Sequence, residues 1–158
     1  MHDAGVTAWD IETTGLHYDV DRICTVQVYV PGFGVEIVRM PSDGSVPPYL
    51  SAALRSPRVF KIFHYAPFDL GFMRHHWGAR ARNVGCTKMT SKIVDPARER
   101  HSLAPLVRDH LGVKLDESVQ TSDWSKPLTS EQIEYAGNDV LYLPALLEVL
   151  MAKAVTLG

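Results

Sequence analysis

Cysteine is scarce: the 158-residue chain has two, Cys24 and Cys86, far apart and outside any CxxC pair. That argues against a disulfide framework and a thiolate zinc site, and the expectation is a reduced, cytoplasmic setting. The chain also has no run of 18 or more apolar residues, so no membrane-spanning helix is expected. Its start, Met1-His2-Asp3-Ala4-Gly5, lacks the basic and apolar regions of a signal peptide. No repeat, low-complexity tract or linker interrupts it, and 46% hydrophobic content over this length suits one domain with a real core. The net charge of −2 is unevenly spread. From Arg74 to Arg108, eight basic residues stand against two acidic ones, about +6 there and about −8 elsewhere. A polyanion-facing surface and a solvated helix face both have this composition.

What is present reads as strands first, then strands mixed with helices, then helices. Residues 6–12 and 23–30 are β-rich runs, and the second ends at Pro31-Gly32-Phe33-Gly34, so 35–38 returns as a hairpin partner. Pro47-Pro48 opens a helix to Arg55, and residues 59–63 form another strand. A helix from Pro67 stops at Gly78. Gly85-Cys86-Thr87 reads as a connection, with Thr87 capping a helix over 88–94. Ser102 starts a helix that Gly112 ends, and residues 113–128 form an ordered loop around Trp124. Thr129-Ser130-Glu131-Gln132 has near capping-box spacing, and the apolar positions from Val140 to Met151 mark a last helix that Pro144 bends or divides. The fold class is α/β, with one mixed central sheet flanked by helices.

Four acids sit at element edges or in apolar surroundings: Asp10, Glu12, Asp69 and Asp139. In a strand, Asp10 and Glu12 point to one face because side chains alternate. Two buried like charges that close are costly, and a divalent cation between them is the simplest relief. Asp69 and Asp139 have a bland alternative as helix-start acids. Tyr135 precedes Asp139 by one helical turn, which puts a phenol and a carboxylate on one face; a core aromatic with a wet hydroxyl fits the same spacing.

Trp9-Asp10-Ile11-Glu12-Thr13-Thr14-Gly15-Leu16 resembles the first motif of the DEDD 3′-5′ exonucleases. His64-Tyr65-Ala66-Pro67-Phe68-Asp69-Leu70 resembles the second. Tyr135-Ala136-Gly137-Asn138-Asp139-Val140 resembles the third, in the Tyr-x-x-x-Asp form of the DEDDy subgroup. Connecting stretches, from Ser102-Leu103-Ala104 to Leu111-Gly112-Val113 and over Gln120 to Ser125, resemble ribonuclease D, so the likeness covers nearly the whole chain. It implies a ribonuclease H-like mixed sheet and a two-metal phosphodiesterase site. The cofactors would be two divalent cations, Mg²⁺ or Mn²⁺, which oxygen-only ligands suit. By the same resemblance Asp10 would bridge both ions, Glu12 and Asp139 would hold the ion on the side of the attacking water, Asp69 would serve the second ion, and Tyr135 would orient the water. Thr13, Thr14 and Leu16 would grip the 3′ end, with His64 and Tyr65 as further substrate contacts, although Thr in a turn and His at a strand end are also ordinary structural choices.

The chain departs from the family at two points. Tyr65 stands where an Asn amide that contacts phosphate is common, so its ring would stack on a base instead. Glu117 stands where ribonuclease D relatives commonly carry a Lys. The accessory helical domains that follow the catalytic domain in ribonuclease D are not expected within these residues, so the basic 74–108 segment becomes the candidate nucleic-acid surface. The resulting expectation is release of nucleoside 5′-monophosphates from single-stranded 3′ ends, RNA favoured over DNA. The alternatives are a proofreading-type DNA exonuclease and a catalytically inactive nucleic-acid-binding module. Oligomeric state is not legible.

Overall fold

The computed structural model describes residues 5–157, so the reading of Met1–Ala4 lies outside the described residues. The chain runs β1 (Gly5–Thr13), β2 (Ile23–Val30), β3 (Gly34–Arg39), α1 (Pro48–Arg55), β4 (Val59–Phe63), α2 (Ala66–Trp77), β5 (Val84–Cys86), α3 (Thr87–Val94), α4 (Leu103–Leu111), α5 (Ser130–Leu141) and α6 (Leu143–Leu157). The strands form one sheet in the order β3-β2-β1-β4-β5. β2 pairs antiparallel with β1 and β3, while β4 runs parallel to β1 and β5 to β4. This is the mixed, helix-flanked, ribonuclease H-like sheet that the sequence resemblance implied, with β1 at its centre.

Alternation along β1 divides the core. Trp9 and Ile11 face one side and pack with Leu50 and Leu54 of α1 and Phe72 and Met73 of α2. Ala8 faces the other side, with Ile62 of β4 and Val140, Leu143 and Leu147 of the C-terminal helices. Asp10 and Glu12 share the face of Ala8 by parity. α5 therefore approaches the sheet from the side to which the two acids point. The α3–α4 region closes on α6 through Leu106, Val107, Leu146 and Leu150. No helix among the described residues is long and apolar enough to cross a membrane.

Local chemistry explains the element ends. Thr129 and Gln132 form a reciprocal capping box at the start of α5. Gly78 and Gly112 close α2 and α4 in the left-handed region, with φ of 58° and 71°. Tyr142 caps α5, and α6 begins one residue later with Pro144 in its first turn, so the expected bend is a division into two helices. Lys61, fully buried in β4, donates from Nζ to the carbonyls of Ala53 and Ser56 and thereby satisfies the end of α1.

Two local expectations are corrected. Residues 84–86 form a fifth strand, too short for periodicity to reveal, which hydrogen-bonds to β4. Thr87 is not the cap of α3; Cys86 holds that place without a side-chain bond, and the Thr87 hydroxyl bonds the carbonyl of Phe63.

Candidate active site

One cleft of about 660 Å³ gathers every residue singled out in the sequence. Asp10, Glu12, Asp69, Tyr135 and Asp139 line it, together with Thr13, Thr14, Leu16, His64 and Tyr65. Three elements supply the acids: β1 brings Asp10 and Glu12, the first turn of α2 brings Asp69, and α5 brings Asp139. One carboxylate oxygen from each of Asp10, Glu12 and Asp139 lies within 4.8 Å of the others. Asp69 is 3% exposed, and its Oδ1 is buried without a hydrogen-bond partner among the described residues.

Without a counter-charge this cluster resists ionisation. Desolvation first, then repulsion from Asp69, Asp139 and Glu12, holds the Asp10 carboxyl well above the ordinary carboxylate range. Desolvation with Asp139 and Asp69 pushes Glu12 up to about 9, and desolvation pushes Asp69 up to about 8. Desolvation raises Asp139 to about 7; the neighbouring Tyr135 hydroxyl pulls it down, and Glu117 pushes it up. An unpartnered buried oxygen beside three converging carboxylates is the donor set of a hard divalent cation, so these residues fit one. Desolvation and the Asp139 and Glu12 charges raise Tyr135, so it remains a protonated donor at neutral pH.

Sequence reasoning missed two supports. Gln27 lies directly opposite Asp10 in the β1–β2 register and donates from Nε2 to Asp10 Oδ2 at 3.3 Å. It is fully buried and accepts from Thr25, itself opposite Glu12. The signal was there: two polar residues at period two inside an apolar strand. Asp21 is the second. Its carboxylate accepts from Thr14 Oγ1 at 3.0 Å and from the His17 amide at 2.9 Å, which folds the turn after β1 back on itself. A Cβ on Gly15 would come 2.5 Å from that carboxylate and would displace it from the turn. Leu16 then projects into the cleft, 76% exposed.

On another part of the cleft surface, His64 places Nδ1 2.9 Å from Thr87 Oγ1, while its buried Nε2 has no partner among the described residues. Desolvation and the Lys88 charge lower its pKa to about 4, so it is neutral at physiological pH. Gln120–Trp124 is pinned to α5 through Gln132, whose Nε2 donates to Ser122 Oγ and the Asp123 carbonyl, and Trp124 is buried 5.9 Å from the Tyr135 ring. The ordered loop expected around Trp124 is present, and Gln120, Thr121, Ser122 and Trp124 line the cleft. Tyr135 likewise belongs to a small apolar cluster while facing Asp139.

The basic segment meets the cleft at one point. Of its eight cations only Lys88 lines the cleft. Arg98 and Arg108 instead pair with Asp109. Lys88 sits in the first turn of α3 with its ammonium 4.4 Å from the centroid of the Tyr65 ring. A cation at that end of a helix is disfavoured by about 0.3–1 kcal/mol. The ring contact contributes about 0.5–1 kcal/mol. The two nearly cancel, so stability alone does not account for this seat.

Comparison with known proteins places these features. A family model described as 3′-5′ exonuclease matches residues 1–154. The chain is 35% identical over 107 residues to ribonuclease D of Desulfotalea psychrophila, which covers 67% of this chain and 28% of that protein. It is 29% identical over 139 residues to exosome complex component 10 of Rattus norvegicus, 86% of this chain and 15% of that protein. The chain thus spans less than a third of the length of these curated relatives. Among solved structures, Brucella melitensis NrnC with bound Mg²⁺ superposes with a TM-score of 0.87 at 35% identity, over 94% of this chain and 73% of that one. The same protein bound to pGG gives 0.88 at 36% identity, over 94% and 72%.

Two measurements follow from the geometry. Unfolded carboxyls titrate near 4, whereas Asp139, Asp69 and Glu12 titrate at about 7, 8 and 9 in the folded chain. Over that interval the folded chain binds more protons, so stability falls as pH rises. His64 acts oppositely, but only below about 6.5. In EDTA the melting temperature should therefore drop between pH 6.5 and 8.5, and Mg²⁺ should raise it more at the higher pH; a flat profile contradicts the cluster. Second, Gln27→Ala should weaken Mn²⁺ binding by about tenfold, measured calorimetrically. Unchanged affinity would show that Asp10 needs no such support.

Proposed function

This chain belongs to the 3′-5′ exonuclease family as a ribonuclease D-like DEDD domain, and from that membership we propose that it hydrolyses phosphodiester bonds at the 3′ ends of single-stranded nucleic acid. RNA is the favoured substrate, nucleoside 5′-monophosphates are the products, and the setting is RNA processing in the cytoplasm. The observation that carries this reading is the convergence of Asp10, Glu12, Asp139 and Asp69, whose buried Oδ1 has no partner among the described residues, in one cleft beside a protonated Tyr135. The Mg²⁺ and the pGG bound by the similar NrnC support a cation and a short RNA strand as the occupants of the corresponding cleft here.

Asp10 would bridge two divalent cations, Mg²⁺ or Mn²⁺. Glu12 and Asp139 would hold the one nearer the attacking water, and Asp69 would serve the other. When bound, such a pair supplies Lewis-acid polarisation of the phosphodiester and of the nucleophilic water. The chain's own groups do the positioning. Tyr135 keeps its proton and orients the water by hydrogen bonding rather than by acting as a base. Gln27 holds Asp10 in one orientation. The backbone of Thr13 and Thr14, braced by Asp21, receives the 3′-terminal sugar, and Leu16 lies beneath the terminal base. Neutral His64 lines the cleft as a further substrate contact, and the Tyr65 ring, 44% exposed, stacks on a base.

The test uses 5′-labelled single-stranded RNA and DNA of one sequence with Mg²⁺, Mn²⁺ or EDTA. Shortening from the 3′ end should appear only with metal, faster on RNA. Asp10→Asn should abolish it while the fold survives, with a higher melting temperature in EDTA because folding no longer has to bury and protonate that carboxyl. Tyr135→Phe should slow it about 10–100-fold yet keep the metal-induced rise in melting temperature. Cleavage in EDTA, or near-normal turnover by Asp10→Asn, contradicts the assignment.

A further inference from the structure

The cleft carries six carboxylates, Asp10, Glu12, Asp69, Asp116, Glu117 and Asp139, with one Lys and no Arg among its described lining residues. The other end of the sheet has the reverse composition. β4 runs parallel to β1 and β5 to β4, and His64 and Lys88, which follow the ends of β4 and β5, line the cleft. The segments that enter these two strands therefore lie at the end away from the acids. Residues 55–61 and 78–84 hold five basic residues and no acidic one. Lys61 is buried; Arg55, Arg58, Arg80 and Arg82 are exposed and pair with no carboxylate among the described residues. Backbone contacts join the two segments. The Arg82 amide donates to the Leu54 carbonyl at 3.2 Å, Asn83 Nδ2 to the Pro57 carbonyl at 3.3 Å, and the Lys61 amide to the Asn83 carbonyl at 2.9 Å. Asn83 adopts a left-handed φ of 56° in making these bonds. A cation at the end of α1 has an ordinary purpose, which is to offset the negative pole of the helix. Lys61 already serves it through the Ala53 and Ser56 carbonyls, so the four exposed guanidinium groups are surplus to that need.

From this polarity we infer that Arg55, Arg58, Arg80 and Arg82 form a second nucleic-acid surface, outside the cleft, which holds phosphates of a single strand well upstream of the 3′ end at the acids. The inference rests on the exonuclease reading and adds to it the part of a long substrate that the cleft does not reach. Phosphate contacts supply most of the affinity of such complexes, and a cleft with six acids and one ammonium offers few. All four exposed cations here are Arg, whose planar fork grips phosphate oxygens in pairs where a Lys is a point charge. Reach sets the length of strand involved. Gly5 pairs with Val59 at the arginine end and stands five residues before Asp10, about 17 Å at the rise of a strand. At about 3.4 Å per stacked nucleotide, a strand needs at least about five nucleotides to run from the acids to the arginines. A dinucleotide bound at the acids is thus indifferent to this surface, and a long strand is not.

The test compares the dinucleotide ApA with a single-stranded RNA of about 20 nucleotides, long enough to cover both sites. The variants are Arg55→Ala with Arg58→Ala, Arg80→Ala with Arg82→Ala, and all four together; Lys92→Ala with Lys153→Ala removes equal charge from α3 and α6 as a control. In EDTA, where the cleft lacks cations, fluorescence anisotropy should show the long RNA bound by the wild type and weakened by salt. Each arginine pair should lower the slope of log Kd against log salt by about 1.4, and the four together should weaken binding at least about tenfold. The lysine control should keep both. With Mg²⁺, KM for the long RNA should rise about tenfold in the combined variant at unchanged kcat. ApA turnover should stay at the wild-type level, which also shows that the variant is folded. Unchanged affinity and salt slope in the combined variant, an equal loss in the lysine control, or an equal rise of KM for ApA would overturn the inference. So would poly-glutamate that binds the wild type more tightly than the RNA does, since the surface would then suit an acidic polypeptide. If the wild type cleaves neither substrate, the exonuclease reading fails, and the EDTA binding series still decides the arginine surface by the same outcomes.

Discussion

Burial of four converging carboxylates, sharpened by repulsion among them, is the constraint on which this structure turns. Asp10, Glu12 and Asp139 bring oxygens within 4.8 Å of one another, and Asp69 adds a buried oxygen with no partner among the described residues. A folded chain without a cation holds these groups protonated well above their ordinary range. The surrounding architecture keeps them together against that cost. The β1–β2 register sets Gln27 and Thr25 opposite the two strand acids. The capping box of α5 and the pinned loop around Trp124 anchor the helix that carries Asp139. The apolar packing of Phe72 and Met73 against Trp9 and Ile11 fixes α2, whose first turn carries Asp69. An apolar framework thus stores a polar strain that a divalent cation relieves.

The same framework explains what the sequence disclosed. Period two in β1 was enough to place Asp10 and Glu12 on one face, and one helical turn was enough to pair Tyr135 with Asp139. Capping chemistry located the start of α5, and Pro144 located the break before α6. These are local rules acting over a few residues. β5 was missed because three residues carry no period, and its pairing with β4 is a tertiary fact. Gln27 was missed because its role depends on strand register, although its polarity inside an apolar strand was visible. Asp21 was missed because the turn it braces closes over several residues.

The basic segment shows how composition misleads when it is read without geometry. Eight cations within 35 residues look like one surface, yet two of them meet Asp109 and only one lines the cleft. What remains in the cleft is a single ammonium among six acids. Such a cleft has little charge with which to track a long polyanion, because phosphate contacts dominate nucleic-acid affinity. Both departures from the family pattern, Tyr65 and Glu117, line this cleft, and the Tyr65 ring lies beneath the Lys88 ammonium.

The central claim is that the acid cluster exists to hold a pair of cations. Crystals grown with Mn²⁺ and measured for anomalous scattering test it directly. The account predicts two peaks about 4 Å apart, with Asp10 between them, Glu12 and Asp139 on one and Asp69 nearer the other. A single peak, or peaks away from Asp10, would contradict it.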